Sequence, residues 1–258
     1  MSIFKSFLVN LFNKINIIVI GKRPNNTIFS FNFHNIRHIN SFLRKHQSSL
    51  TRNNYVIIDV GAGQSPYYQF FEKFTEKYIA VDLESSLPKN EKREIQQMAG
   101  LAEDLPIEDN FADIVLSNQV LEHVLDERKA VKETLRVLKP GGIFIGSVPH
   151  ISPVHLEPND FRRFTDMGIK KLLGDAGFTN IFVQGNGGVF RSAALMINMD
   201  ILMSVKKDNK KQEFKGVMAF LLFPIVGLIN LLGLILDFIS GDRRRTPSNI
   251  CFIGYKNK

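Results

Sequence analysis

The feature that most constrains this chain is a short apolar run closing on glycine, Val56-Ile57-Ile58-Asp59-Val60-Gly61-Ala62-Gly63. Branched apolar residues in such a run describe a strand buried on both faces. Glycines directly after it allow a sharp turn and leave bare backbone for a ligand to approach. Asp82 ends the next apolar run, Tyr78-Ile79-Ala80-Val81-Asp82, 21 residues after Gly61. An acid there is placed to accept hydrogen bonds from the ribose hydroxyls of an adenosine ligand. Asp59 is placed to meet the ammonium of an amino-acid tail. Each acid also has a structural reading, Asp59 as a helix cap and Asp82 as an ordinary strand end. The sixth loop position is Pro66. A pyrophosphate needs free N–H groups at the helix that follows, and proline removes one. Ser65 then reads as the cap of that helix. The turn suits a nucleoside without phosphate and disfavours a nicotinamide dinucleotide.

Beyond the turn, strands and helices alternate, which describes a parallel α/β sheet. A helix is expected over about 65–77, strands at 114–117 and 141–148, and a helix between them ending at Leu138. A further helix runs from Thr165 to Ala176, with Thr165 as cap and Gly177 as left-handed stop. A short strand follows at 181–183. The single cysteine, Cys251, excludes an internal disulfide framework and a cysteine-cluster metal site. Charge divides the chain unevenly. Residues 1–54 hold eight Lys/Arg and no acid, 59–190 hold 14 basic and 20 acidic residues, and 191–258 hold 11 basic and five acidic. Polyanions would therefore be met by the ends.

Five blocks carry a resemblance: Val56–Gly63; Ala80–Asp82; Ala102-Glu103-Asp104-Leu105-Pro106 with Phe111–Val115; Asn118-Gln119-Val120-Leu121-Glu122-His123-Val124; and Leu135–Gly142. In this order they resemble the class I methyltransferases that use S-adenosylmethionine (SAM), over residues 55–188. The resemblance implies a Rossmann-like seven-stranded sheet, mostly parallel with the last strand antiparallel, and SAM as cofactor. It places Asp59, Gly61 and Gly63 around the methionine part of SAM, Asp82 on the ribose and Leu83 beside the adenine. Ala102 and Glu103 would lie near the adenine edge, Asn118 and Gln119 near the sulfonium. The family often has an acid just before the Ala-Glu pair, where this chain has Leu101. Glu122 and His123 are expected to face solvent or satisfy local backbone.

The acceptor side is expected in the loop from Pro149 to Thr165, which leaves the carboxyl end of a strand, where α/β sheets bind ligands. It holds His150, His155, Asp160, Arg162 and Arg163. A hydroxyl acceptor benefits from a base. His150 or His155 is the expected base, with Asp160 orienting or sharing that role; a loop-holding Asp160–Arg163 pair is the competing reading.

Residues 216–236 contain no charged side chain and match a bilayer in length. Lys206, Lys207, Lys210, Lys211 and Lys215 precede them and Arg243, Arg244 and Arg245 follow. Both basic flanks favour the cytoplasmic side. A crossing would also separate the closing strand, 250–255, from the strand at 181–183 beside which the resemblance places it. A re-entrant or interfacial hairpin broken at Pro224 is therefore expected, with a helical cap on the domain or a dimer interface as the alternative. Phe4, Phe7, Leu8, Leu11, Phe12 and Ile15 form a second apolar stripe at helical spacing.

The expected organisation is a basic, amphipathic and helical extension over 1–54, a SAM-binding core over 55–188, a hydrophobic, membrane-associated helical insertion over 189–246 and a closing strand over 247–258. The expected function is methyl transfer to a hydrophobic, small-molecule or lipid-linked acceptor, with a hydroxyl of a lipid-linked glycan precursor and a ring carbon of a prenylated quinone as equal options. It would take place at the cytoplasmic face of an anionic membrane, with the protein peripheral or monotopic. The alternatives are a membrane-attached module that binds SAM without transfer, and an RNA methyltransferase. The basic flanks interleave with apolar stripes, which suits lipid better than nucleic acid.

Overall fold

A computed structural model describes residues 18–88, 94–206, 212–241 and 245–258, with backbone alone for 203–206 and 212–221. The amphipathic stripe over 4–15, and Lys207, Lys210, Lys211, Arg243 and Arg244, lie outside the described residues. The chain falls into two compact units. One comprises Ile39–His150, Val154–Gly185 and Asn249–Lys258; the other comprises the residues up to His38, Ile151–Pro153 and Asn186–Ser248.

The first unit is built on seven strands: β1 (Tyr55–Val60), β2 (Thr75–Asp82), β3 (Ile95–Ala99), β4 (Ala112–Asn118), β5 (Leu138–Pro149), β6 (Thr179–Gly185) and β7 (Asn249–Tyr255). Their order is β3-β2-β1-β4-β5-β7-β6. The first five strands pair in parallel, and β7 runs antiparallel between β5 and β6. Side chains alternate across the sheet and fill two cores. Ile58, Val60, Ile79, Val81, Val115 and Phe144 point into one, which α3 (Glu127–Val137) and α4 (Asp166–Ala176) cover with Val131, Val137, Ile169 and Leu173. Ile57, Tyr78, Ile114, Leu116 and Ile145 point into the other. There α1 (Phe33–Gln47) supplies Ile39, Phe42 and Leu43, and Tyr67, Phe70 and Phe71 surround α2 (Tyr68–Phe71). Burial of both faces explains why these strands read as continuous apolar runs.

Several expectations shift. Residues 39–54 pack with the sheet, so the boundary expected at residue 54 is not a unit boundary. The helix expected over 65–77 is one short α turn and a 3₁₀ turn, Glu72–Phe74, because β2 already begins at Thr75. Strand β5 begins at Leu138, so the Pro-Gly-Gly triplet lies within it rather than before it. Helix α4 begins and ends as expected, with Thr165 Oγ1 accepting the Gly168 N–H and Gly177 at φ +108°.

In the second unit, Gly216–Leu236 belongs to one continuous helix, α6 (Gln212–Ser240), with Pro224 inside it. Proline removes one helical hydrogen bond. Burial of Phe223 and Val226 against Phe31 offsets that loss, so the break expected at Pro224 does not occur. α6 packs along α5 (Val189–Lys206), and polar groups fix the pairing. Asn198 Nδ2 donates to Asn230 Oδ1 at 2.9 Å, and Asn230 Nδ2 donates to the carbonyls of Ile28 and Ser30. Asp237 is fully buried and accepts the N–H groups of Gly188 and Phe190 at 2.8 and 3.0 Å, at the start of α5. A carboxylate there meets unpaired donors and the positive end of the helix. Leu222–Ser240 is long and apolar enough to cross a membrane, by length and composition.

Asp237→Ala should lower stability in urea unfolding by about 1–3 kcal/mol, because it leaves buried N–H groups without an acceptor. An unchanged midpoint and slope would show that Asp237 holds nothing together.

Candidate active site

The strand order reverses between β1 and β4, the switch point at which α/β sheets bind ligands beyond the carboxyl ends of their strands. The turn after β1 is stapled to the end of β2. The Gly61 and Ala62 N–H groups both donate to the Val81 carbonyl, at 2.8 and 3.3 Å. The Gly63 N–H donates to Asp82 Oδ2 at 2.8 Å, and the Leu83 N–H donates to Asp82 Oδ1 at 2.7 Å. Each carboxylate oxygen keeps further acceptor capacity. Gly61 sits at φ +67°, and a Cβ there would lie 2.3 Å from Val120 Cγ2. Gly63 sits at φ +51°, and a Cβ there would meet nothing within 4 Å. Gly61 is therefore glycine for packing, while Gly63 borders open space.

Asp59 is buried and accepts the Tyr78 hydroxyl at 2.8 Å. It caps no helix. Burial pushes its carboxyl up to about 7; the Tyr78 hydrogen bond opposes that shift and the Asp82 charge adds to it. Leu83 is half exposed at the strand end. At the end of β4, Asn118 Oδ1 accepts the Ser147 hydroxyl at 3.1 Å, while its Nδ2 is buried with no partner among the described residues. Gln119 sits at φ +59° and donates through Nε2 to Asn249 Oδ1 at 2.7 Å. Asp59, Gly61, Gly63, Asp82, Leu83, Asn118 and Gln119 thus collect at the carboxyl ends of β1, β2 and β4. An orphaned amide donor and a glycine beside open space fit a polar nucleoside ligand.

Ala102 and Glu103, expected near the adenine edge, also carry structural contacts. Ala102 packs on the sheet core. Glu103 Oε1 accepts the N–H groups of Leu125 and Asp126, at 2.8 and 3.4 Å, and so secures the turn before α3. Asp126 in turn caps α3 through the N–H groups of Arg128 and Lys129.

On the acceptor side, Arg163 grips Asp160 with two bonds, 2.6 and 2.7 Å. That pairing, a backbone N–H from His155 and the His155 charge hold the Asp160 carboxyl down at about 2, against the pull of desolvation. Asp160 therefore stays ionised and is a poor base. It orients instead, with Oδ2 3.4 Å from His155 Nδ1. The loop-holding pair and the orienting role are one arrangement. His150 Nδ1 lies 2.7 Å from the Phe164 carbonyl, an acceptor only, so the proton sits on Nδ1 in the neutral ring.

Glu122 and His123 depart from expectation. Glu122 is fully buried, and neither carboxylate oxygen has a hydrogen-bond partner among the described residues. Burial pushes its carboxyl up to about 8. His123 does satisfy local backbone, its Nδ1 lying 2.5 Å from the Asn159 carbonyl. The turn is held from the acceptor loop: Arg162 donates to the carbonyls of Leu121, Val124 and Leu125, and the Phe161 N–H to that of Glu122. The run Leu121-Glu122-His123-Val124 gave no signal of a buried acid, because the turn is held by a strap 37–41 residues away.

The family described as "Methyltransferase domain" matches residues 58–146. A protein of Mycolicibacterium smegmatis, named as an S-adenosylmethionine-dependent methyltransferase, is 30% identical over 149 residues, covering 54% of this chain and 56% of its own. A human mitochondrial arginine-hydroxylase is 29% identical, covering 52% of this chain and 45% of its own. The chain thus spans about half the length of these two relatives. An uncharacterized protein of Methanocaldococcus jannaschii is 30% identical over 68% of this chain and 80% of its own. Among solved structures, a Haemonchus contortus phosphoethanolamine N-methyltransferase in complex with SAM shares the fold. It has a TM-score of 0.57 at 16% identity, over 96% of this chain and 60% of that one.

Gly61→Val should abolish SAM binding in calorimetry, since its side chain meets Val120 and its backbone resists positive φ; wild-type affinity would show that the turn is not the binding element. Asp59 supplies a second test. A folded pKa near 7 against an unfolded 3.8 means that the folded chain keeps a proton which the unfolded chain releases. Stability therefore falls as pH rises through that window. Asp59→Asn should gain on the wild type between about pH 5 and about pH 8. An equal difference at the two pH values would exclude that linkage.

Proposed function

This chain belongs to the class I SAM-dependent methyltransferases, and on that premise we propose that it methylates a hydrophobic or lipid-linked acceptor at a membrane surface, a glycan-precursor hydroxyl being the form its residues suit best. SAM, when bound, supplies an electrophilic methyl whose carbon–sulfur bond breaks as the acceptor's new bond forms. The Gly61–Gly63 turn, Asp59 and Asp82 would hold its amino-acid and ribose groups, with Leu83, Asn118 and Gln119 beside them. The observation that carries the acceptor reading is the single loop after β5. It brings two imidazoles, one of them beside the ionised Asp160, to the carboxyl side of the sheet. In-line displacement depends on alignment of the reacting atoms, which a loop held by Arg162 and Arg163 favours. His150 or His155 would take the acceptor proton as the oxygen attacks.

The membrane part of the proposal is supported by α6. Leu228, Leu231, Leu232 and Ile235 are exposed along it, and Phe238 and Ile239 at its end are 83% and 72% exposed. Large apolar side chains in series on one element mark an interaction face. The buried Asn230 and Asp237 are hydrogen-bonded inside the unit, which favours a helix lying at an interface over one crossing the bilayer. Arg245 and Lys206 add basic character at its flanks.

The test is to incubate lysate lipids and glycans with isotopically labelled SAM and fractionate the products. Label should enter a lipid or lipid-linked fraction. SAM binding with no transfer to any fraction would identify a non-catalytic module, and label in RNA would replace the acceptor class. His150→Ala and His155→Ala should spare SAM binding, and the one that removes the base should slow transfer by about 10²–10⁴-fold. Unchanged turnover in both would remove the histidines from the reaction.

A further inference from the structure

The buried carboxyl of Glu122 has no part in the reading above; two histidines lie beside it, and the paired charges of Arg163 and Asp160 act on it with opposite sign. Glu122, His123 and His155 each bring one ligand atom to within 4.8 Å of the others. The His123 and His155 rings meet edge to face with centroids 5.0 Å apart. The Asn159 carbonyl next to His123 Nδ1 can only accept a hydrogen bond, so Nδ1 carries the proton and Nε2 carries the lone pair. That lone pair lies 3.7 Å from Glu122 Oε1. The carboxyl and the lone pair therefore face each other at a distance too long for a hydrogen bond. Ligand atoms about 2.0–2.1 Å from a tetrahedral cation lie roughly 3.4 Å from one another. Neither Glu122 oxygen has another partner among the described residues, although the side chain is fully buried.

We propose that Glu122, His123 and His155 form a binding site for a divalent transition-metal cation of the zinc type. Two imidazoles and one carboxylate suit zinc, and a set of three leaves a position open for a further ligand. Magnesium, which prefers oxygen ligands, fits poorly. Outer contacts resemble those that orient metal-bound imidazoles: a carbonyl on His123 Nδ1 and the Asp160 carboxylate beside His155 Nδ1. A bound cation would commit His155 as a ligand, leaving His150 as the base in the proposed reaction. The site itself does not depend on that reading.

The experiment is calorimetric titration of the full chain, stripped by a chelator and dialysed, with Zn²⁺ and separately with Mg²⁺. One equivalent of Zn²⁺ should bind, and Mg²⁺ should bind at least about 100-fold more weakly. Glu122→Gln, which keeps the shape of the side chain, and the half-buried His155→Ala should each weaken Zn²⁺ binding by about 100-fold or more. His46→Ala should leave it intact. Co²⁺ in place of Zn²⁺ should give the visible absorption of a low-coordinate site, lost in Glu122→Gln. Unchanged SAM affinity in the two variants would show that they fold. Equal Zn²⁺ affinity and stoichiometry in wild type, Glu122→Gln and His155→Ala would overturn the proposal, as would no saturable Zn²⁺ binding in the wild type.

Discussion

Everything at the ligand end of the sheet depends on how the backbone leaves β1. The chain turns within three residues at the point where the strand order reverses, and hydrogen bonds to the end of β2 hold that turn. The Val81 carbonyl accepts two N–H groups of the turn, and Asp82 accepts a third. Strand β2 therefore fixes the turn before any ligand arrives, and the cofactor end of the site is largely preformed. Asp82 serves the fold and keeps acceptor capacity for the ribose contact proposed for it, which is why its two readings in the sequence could not be separated.

Much of the sheet was legible because burial on both faces writes continuous apolar runs, and β1, β2, β4 and β5 each have one. Strand β3 gave no such signal. It is an edge strand, Ile-Gln-Gln-Met-Ala, and only Ile95 is buried. The place and packing of helix α1 were not read within the helical extension expected over 1–54, because its stretch is rich in Asn and His, although Ile36, Ile39 and Leu43 recur at helical spacing and are buried. The turn after β1 followed from local sequence, since its glycine and acid positions are neighbours in the chain. Glu122 and Glu103 did not, because their surroundings come from segments 22 to 41 residues away. Hydrophobic periodicity carries no record of such long-range straps.

The insertion shows the opposite limit. Its composition announced lipid, and its length matched a bilayer, but Asn230 and Asp237 are spent on contacts inside the unit. Polar residues in an apolar helix are costly unless satisfied, and here their partners are the backbone of α5's first turn and the carbonyls of Ile28 and Ser30. Composition therefore described the outer face of α6, while Asn230 and Asp237 help to fix its packing.

Strand β7 occupies the sheet between β5 and β6, yet 63 residues separate the end of β6 from its first residue. During synthesis β5 and β6 therefore emerge with their facing edges bare, and both stay bare until Asn249–Tyr255 clears the ribosome. Unpaired edges recruit other strands, and closing so wide a loop adds entropy cost slowly with length. The helical pair α5–α6, packed on its own contacts, would shorten that search if it formed first. A lesion that delays the pair would thus leave a sticky half-sheet, and would reveal itself as aggregation rather than as lost catalysis.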